Sequence, residues 1–484
     1  MRKGFDNEKY LAMQSEHIRE RIRQFDNKLY LEFGGKLYDD YHASRVLPGF
    51  EPDSKLRMLM QLADQVEIVI VISAEDIEKN KVRGDLGITY DSDLLRLKAI
   101  FESKNLYVGS VCITHFAGQY SAQIFQSRLE KMGVKVYRHY LIPGYPNNIP
   151  LIVSEEGYGH NEYIETTKPL VVVTAPGPGS GKMATCLSQL YHEHKRGVRA
   201  GYAKFETFPI WNLPLSHPVN LAYEAATADL NDVNMIDPYH LEAYGVTTVN
   251  YNRDVEIFPV LKAIFMQIYG ECPYQSPTDM GVNMVGKCII DNDVCCEACS
   301  QEIIRRYYHT LVNIARGRAK EEEAYKIELL MNKIGVVPKD RKTVPAALKR
   351  AEETGHTAAA IELPDGRVIT GKTSDLMGAC SALLIKALKV LAGIEKDVLL
   401  ITPNVIMPIQ KLKVDYLGSR NPRLHMEEVL IALSASSEQN ELADLALRQL
   451  PHLRGSQVHT SRMLSAADEK TFQRLGIMLT SEPR

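Results

Sequence analysis

The chain has 484 residues, 45% of them hydrophobic and 24% charged, with a formal net charge of −3 at pH 7. This is the composition of a globular protein of roughly two to four domains, and the slightly acidic balance gives no general attraction to nucleic acid or to an anionic membrane. The Met1-Arg2-Lys3 start is followed by no apolar core, no run approaches a membrane span, and eight irregularly spaced cysteines read as reduced thiols, so a cytoplasmic protein is expected.

Apolar residues at Leu11, Ile18, Ile22 and Phe25 predict an amphipathic helix over 8–25. A strand follows at 28–33 and runs into Gly34-Gly35-Lys36. Further strands are expected at 66–73, 106–114 and 135–141, with helices at 91–103 and 119–132 between them. That alternation predicts a parallel sheet covered on both faces. Pro143, Gly144 and Pro146 open an irregular segment, and a domain boundary is expected near residue 165. A second α/β unit then starts with a strand at 170–174, a glycine loop, a helix over 182–195 and a strand at 198–205. Helical patterns follow at 255–269 and 300–334. Beyond Pro338 the character changes, with a β-hairpin around Pro364-Asp365-Gly366, a long apolar helix over 375–392 and a strand at 397–402. The expected fold class is α/β: two doubly wound, mainly parallel-sheet domains over 1–165 and 166–335, plus a smaller C-terminal α+β domain over 336–484.

Two of the chain's Gly-Lys pairs, Gly181-Lys182 and Gly371-Lys372, end segments that invite comparison with a phosphate loop. Gly366-Arg-Val-Ile-Thr-Gly-Lys-Thr373 matches the formal phosphate-loop pattern fully, but its middle residues are β-forming and follow a Pro-Asp-Gly turn. They should be extended in a hairpin and unable to wrap a phosphate; Thr373 and Ser374 could cap the helix that follows. Leu170-Val-Val-Val-Thr-Ala-Pro-Gly-Pro-Gly-Ser-Gly-Lys-Met-Ala-Thr185 departs from the pattern, with Pro176 in place of the first Gly and Met183 in place of the Mg²⁺-binding Ser or Thr. Its setting is nevertheless the one required, a buried strand, a glycine loop and a helix, in which backbone N–H groups converge on an anion. Gly177, Gly179, Ser180, Gly181, Lys182 and Thr185 are therefore the expected ATP-binding residues, with Lys182 on the terminal phosphates and Thr185 helping to place Mg²⁺. The alternative is a plain strand-to-helix connection.

The segment Gly197-Val-Arg-Ala-Gly-Tyr-Ala-Lys-Phe-Glu206 resembles the second strand of the dethiobiotin-synthetase-like P-loop class. The resemblance implies that Lys204 and Glu206 face the reacting substrate, with Asp229 and Asp232 as metal or base residues. Gly34, Gly35, Lys36, Asp39, Asp40, His42 and Arg45 form a polar cluster after one strand, and Lys81, Arg83 and Asp85 follow another. Both should lie at strand carboxyl ends, which suits a substrate or anion pocket. Trp211, in a proline-rich loop, could cover a ligand. Cys288, Cys295, Cys296 and Cys299 cluster in sequence without completing a zinc pattern.

Four runs together resemble one bacterial family: 29–50 (Leu-Tyr-Leu-Glu-Phe-Gly-Gly-Lys onward), 82–91, 174–186 and 203–214. The family is domain of unknown function 1846, and the likeness extends over nearly the whole chain. It implies no activity. Some members carry the label of an ATP-dependent peptidase, but the chain has no His-Glu-x-x-His and no recognisable nucleophile motif.

The sequence thus predicts an enzyme that binds ATP and Mg²⁺, or another phosphorylated ligand, at 177–185. It would act on a small-molecule substrate by phosphoryl transfer or ATP-driven carboxylate activation, with Lys182, Lys204 and Glu206 catalytic. Two alternatives stay open: a sugar-phosphate or nucleotide-sugar enzyme that uses the loop only to hold phosphate, and a non-catalytic ligand-binding protein. Neither nucleic acid nor membrane is an expected partner, and homo-oligomer formation is left open.

Overall fold

The computed structural model describes every residue except Met1, Asp39, Gly84, Asp85 and Asn231. The described residues fall into two compact units, one made of Arg2–Glu224 and Asp232–Ala298, the other containing Cys299–Arg484 with the short segment 225–230.

The first unit is built on six strands: β1 (Leu29–Phe33), β2 (Val66–Ser73), β3 (Tyr107–Phe116), β4 (Lys135–Tyr140), β5 (Leu170–Thr174) and β6 (Gly201–Phe205). They form one sheet in the order β4-β3-β2-β5-β1-β6, every neighbouring pair parallel. Four of the strands, β1, β2, β5 and β6, are buried at every position. This explains their continuous apolar and β-branched runs, since a sheet covered on both faces has no solvent side to alternate with. The principal helices are α1 (Asn7–Arg23), α2 (Tyr90–Ser103), α3 (Tyr120–Lys131), α4 (Lys182–Lys195) and α5 (Asn252–Tyr269). The first is capped by Asp6, whose side chain accepts from the Lys9 amide.

The expectation of two doubly wound parallel sheets is corrected here, because only one large parallel sheet is present among the described residues. Strand β1 lies between β5 and β6, with Leu29 opposite both Leu170 and Gly201. Strand β2 pairs with the other edge of β5, Val66 opposite Leu170. A five-residue strand as apolar as Leu29-Tyr-Leu-Glu-Phe33 needs ladder partners on both edges once buried. It finds them across the point where the sequence suggested a break.

The second unit holds a four-stranded mixed sheet of β7 (Ala358–Glu362), β8 (Val368–Lys372), β9 (Gln457–Thr460) and β10 (Met478–Ser481), in the order β8-β7-β9-β10. The pairs β7–β8 and β7–β9 are antiparallel and β9–β10 is parallel. Helix α6 (Ala379–Ala392) packs its Leu383, Leu384 and Leu388 into a core with Ile361 and Val458. The expected strand at 397–402 is not formed; Leu400 and Ile401 enter this core from an irregular segment instead. Among the described residues no helix is long and apolar enough to cross a membrane.

Candidate functional site

From β2 the chain moves outward through β3 to β4, whereas from β5 it moves to β6 at the opposite edge, and β2 and β5 are neighbours. The carboxyl ends of β2 and β5 therefore flank the place where strand order reverses, where open α/β sheets bind ligands. The glycine loop 175–181 leaves β5 at this point. Gly179 and Gly181 have φ of +73° and +83°, and Gly181 caps α4 in the left-handed conformation. The Thr114 hydroxyl at the end of β3 donates to the Ser180 carbonyl at 2.7 Å, fixing the loop against β3. A Cβ on Gly177 would run into the Tyr90 phenol, so only glycine lets that ring lie on the loop. Lys81 sits 5.1 Å from the centroid of the same ring and pairs with Asp76 at 3.1 Å.

Two features of the loop point to an anion. The first amides of the 14-residue α4 lack intrahelical carbonyls, and its dipole favours negative charge there. Ser180, 2% exposed, keeps its hydroxyl buried with no hydrogen-bond partner among the described residues, which a polar group seldom tolerates unless something else meets it. Lys182, half-buried, is the first residue of α4. Thr185 is wholly buried, and its hydroxyl donates to the Gly181 carbonyl at 3.0 Å.

A second polar group lies on β1 and β6. Glu32 and Lys204 are register partners on these adjacent strands and so share a face of the sheet. Lys204 donates from Nζ to Asp254 Oδ1 at 2.5 Å and to the Tyr251 hydroxyl at 2.6 Å, and pairs with Glu206 Oε1 at 3.1 Å. The Tyr251 hydroxyl donates in turn to Glu206, and Tyr202 donates to Glu32 at 2.6 Å. Gly34 is required beside them, because a Cβ there would overlap the Glu206 side chain. Burial works against charge on Lys204, but Asp254, Glu206 and Glu32 outweigh it and hold the ammonium above its ordinary range. Burial pushes the Glu206 carboxyl up to about 7, with Asp254 adding to the rise and Lys204 opposing it. Cys186 on α4 senses both groups: burial raises its thiol most, Glu32 raises it further and Lys182 lowers it. One thiol thus lies in the fields of the loop lysine and the strand carboxylate.

Of the residues expected from sequence, Lys204 pairs with Glu206 and Gly34 lies against Glu206, while Gly177–Gly181 form the loop and Lys182 and Thr185 the first turn of α4. Gly35 is exposed at φ +66°, and Lys36 is exposed with its carbonyl accepting from Lys55, which pairs with Asp40 at 2.8 Å. His42 lies edge-on to Phe208 at 5.2 Å, and Arg45 is half-buried on the short helix Tyr41–Val46. Arg83 is buried in an ion pair with Asp93 at 2.8 Å. Asp39 and Asp85 lie outside the described residues. Asp232 pairs with Arg253 at 2.7 Å, Asp229 belongs to the second unit, and Trp211 donates to the Asn283 carbonyl at 2.8 Å. Cys288 and Cys295 are buried, and Cys296 Sγ lies 3.9 Å from His217 Nε2. Among the described residues no three His, Cys, Asp or Glu side chains are grouped to hold a metal ion.

Sequence reading missed Glu32, Tyr251 and Asp254. A lone acid inside Leu29-Tyr-Leu-Glu-Phe33 was a usable signal, since an unpaired carboxylate does not enter a buried strand. Asp254 carried none, because an acid in the first turn of a helix is ordinary.

Comparison with known proteins agrees with this single framework. Residues 3–335 match the family described as Domain of unknown function DUF1846, N-terminal, and residues 339–484 match its C-terminal counterpart. The chain is 58% identical over 482 residues to a UPF0371 protein of Streptococcus thermophilus, covering 100% of this chain and 98% of the relative. It is 57% identical over 482 residues to a UPF0371 protein of Corynebacterium urealyticum, covering 99% and 97% respectively. The chain belongs to the DUF1846 (UPF0371) family.

Proposed function

We propose that this protein binds a phosphorylated small molecule, with ATP the first candidate, at the glycine loop 177–182, and that Lys204 and Glu206 act on a second substrate beside it. The observation that carries this reading is the buried, unpartnered Ser180 hydroxyl within a glycine loop that opens a 14-residue helix at the sheet's switch point. Loop amides and Lys182 would neutralise the phosphoryl oxygens. Lys204, held charged among carboxylates, would orient an anionic acceptor, and Glu206, carrying a proton up to near-neutral pH, would exchange it with that acceptor. The reaction is phosphoryl transfer or ATP-driven carboxylate activation. The dethiobiotin-synthetase-like reading of 168–206 rests only on the order strand, loop, helix, strand. All eight cysteines are free thiols, which suits a reducing cytoplasm.

Mg²⁺ would be held mainly by the ligand's own phosphates, as is common for nucleotide sites. A second reading, a sugar phosphate or nucleotide sugar held without metal, is favoured by the complete burial of Thr185, the residue expected to place Mg²⁺. Thermal unfolding with ATP, GTP, nucleotide sugars, sugar phosphates and inorganic phosphate, each with and without Mg²⁺, separates the readings. A ligand at 100 times its Kd adds about 2.7 kcal/mol. Stabilisation lost in Lys182→Ala supports the loop as the site; no stabilisation of the wild type by any of these compounds removes the proposal.

A further inference from the structure

Strand β3 breaks its regular geometry where it passes the glycine loop. Ile113 pairs with Arg138 and Phe116 with Tyr140, so β3 carries one residue more than β4 over this stretch. The extra residue makes a β-bulge, a device that re-aims a side chain. His115 occupies it with φ +51°. The other described non-glycine residues with positive φ are Asp26, Asn27, Asn80 and Asn105, whose short polar side chains tolerate that conformation. An imidazole held there is a strained choice, and such strain persists where surrounding structure enforces it. Here the enforcement is visible: Gln119 Nε2 donates to the His115 carbonyl at 3.0 Å while its Oε1 accepts from the Ala117 amide at 2.8 Å.

The bulge brings His115 Nδ1 to 3.2 Å from the Ser73 hydroxyl at the end of β2. That hydroxyl oxygen also accepts from the Glu75 amide at 3.3 Å; when its proton points at Nδ1, the ring proton lies on Nε2. Nε2 has no hydrogen-bond partner among the described residues. The preceding residue, Thr114, donates from its hydroxyl to the Ser180 carbonyl at 2.7 Å, with the Ile72 carbonyl 3.4 Å away. His115 is thus the next residue along from Thr114, which touches the glycine loop, Ser73 follows the Ile72 carbonyl that Thr114 also reaches, and the Ser180 hydroxyl, without a partner among the described residues, lies on that loop.

We infer that His115 is a further ligand-contact residue of this site, donating its Nε2–H to a terminal oxygen of the phosphoryl group held at 177–182, and that Ser73 is a positioning residue that fixes its tautomer. The inference rests on the phosphate-binding reading above.

The test uses the full chain with two probes, ATP and inorganic phosphate, whose separate arms distinguish a nucleotide from free phosphate. In the wild type, diethyl pyrocarbonate should modify His115, and a saturating probe should slow that modification severalfold, as followed by peptide mass spectrometry. His115→Asn suits the left-handed backbone but is too short to replace Nε2. It should fold with an unchanged or higher melting temperature and weaken probe binding about tenfold, the usual worth of a hydrogen bond to a charged group. Ser73→Ala should weaken it less. A probe that stabilises the wild type without protecting His115, or that binds His115→Asn as tightly, overturns this inference and leaves the loop reading standing. A wild type stabilised by neither probe removes both.

Discussion

The two segments that resemble phosphate loops, ending in Gly181-Lys182 and Gly371-Lys372, occupy opposite settings. Gly181-Lys182 sits in a loop between the buried strand β5 and α4, at the carboxyl edge of the parallel sheet. Gly371-Lys372 lies within β8, extended and paired antiparallel to β7, with Ala358 opposite Lys372. In the loop, Gly181 supplies a left-handed φ that turns the chain into a helix. In the hairpin, Gly371 supplies space, since a Cβ there would strike the backbone of Ala379 and Leu383 on α6. The same dipeptide serves a left-handed turn into a helix in one place and close helix–sheet packing in the other. Setting, not pattern, separates them.

The comparison breaks most severely if the polar residues next to the loop are dispensable. Lys204→Met leaves Asp254 and Glu206 buried without their cation and should cost about 3–5 kcal/mol in urea unfolding. A loss below 1 kcal/mol would show that the cluster is better solvated than its burial implies. Next in size, Lys182→Ala should abolish ligand stabilisation of about 2.7 kcal/mol at 100 times Kd, and Lys372→Ala should leave it intact. Gly371→Ala should destabilise the protein by about 1–3 kcal/mol through overpacking, without changing ligand affinity. If instead it weakens binding and spares stability, the roles assigned to the two glycines are reversed.

The pH dependence is smaller and has a definite sign. Glu206 binds its proton more tightly folded than unfolded, so its contribution to stability is complete below its ordinary value of 4.5 and is lost as pH rises through about 7. Stability of the wild type relative to Glu206→Gln should fall across that window, by at most about 1.4 kcal/mol per pH unit. A parallel pair of stability curves between pH 5 and 8 would contradict the raised carboxyl.

Strand-by-strand, the sheet was legible because buried parallel strands write themselves as apolar runs. Its closure was not. Nothing in Leu29-Tyr-Leu-Glu-Phe33 states that its neighbours are 170–174 and 201–205, since pairing over such separations depends on surfaces that meet only after folding. The strand–loop–helix form of 170–195 was legible from glycine and setting, whereas Lys204 and Glu206 were named only through the likeness to a dethiobiotin-synthetase-like strand. Tyr251 and Asp254 were not, because they arrive from 45 to 50 residues downstream of Glu206 and Lys204. His115 was hidden for another reason: a bulge changes the direction of a side chain without changing the strand's composition.

The central claim is that phosphate binds at 177–185 and nowhere near 366–373. Hydrogen exchange read by mass spectrometry, with and without a saturating ligand chosen by thermal shift, tests it directly. Peptides spanning 175–186 should gain protection while those spanning 366–374 do not change. Protection confined to the hairpin, or absent from both, would contradict it.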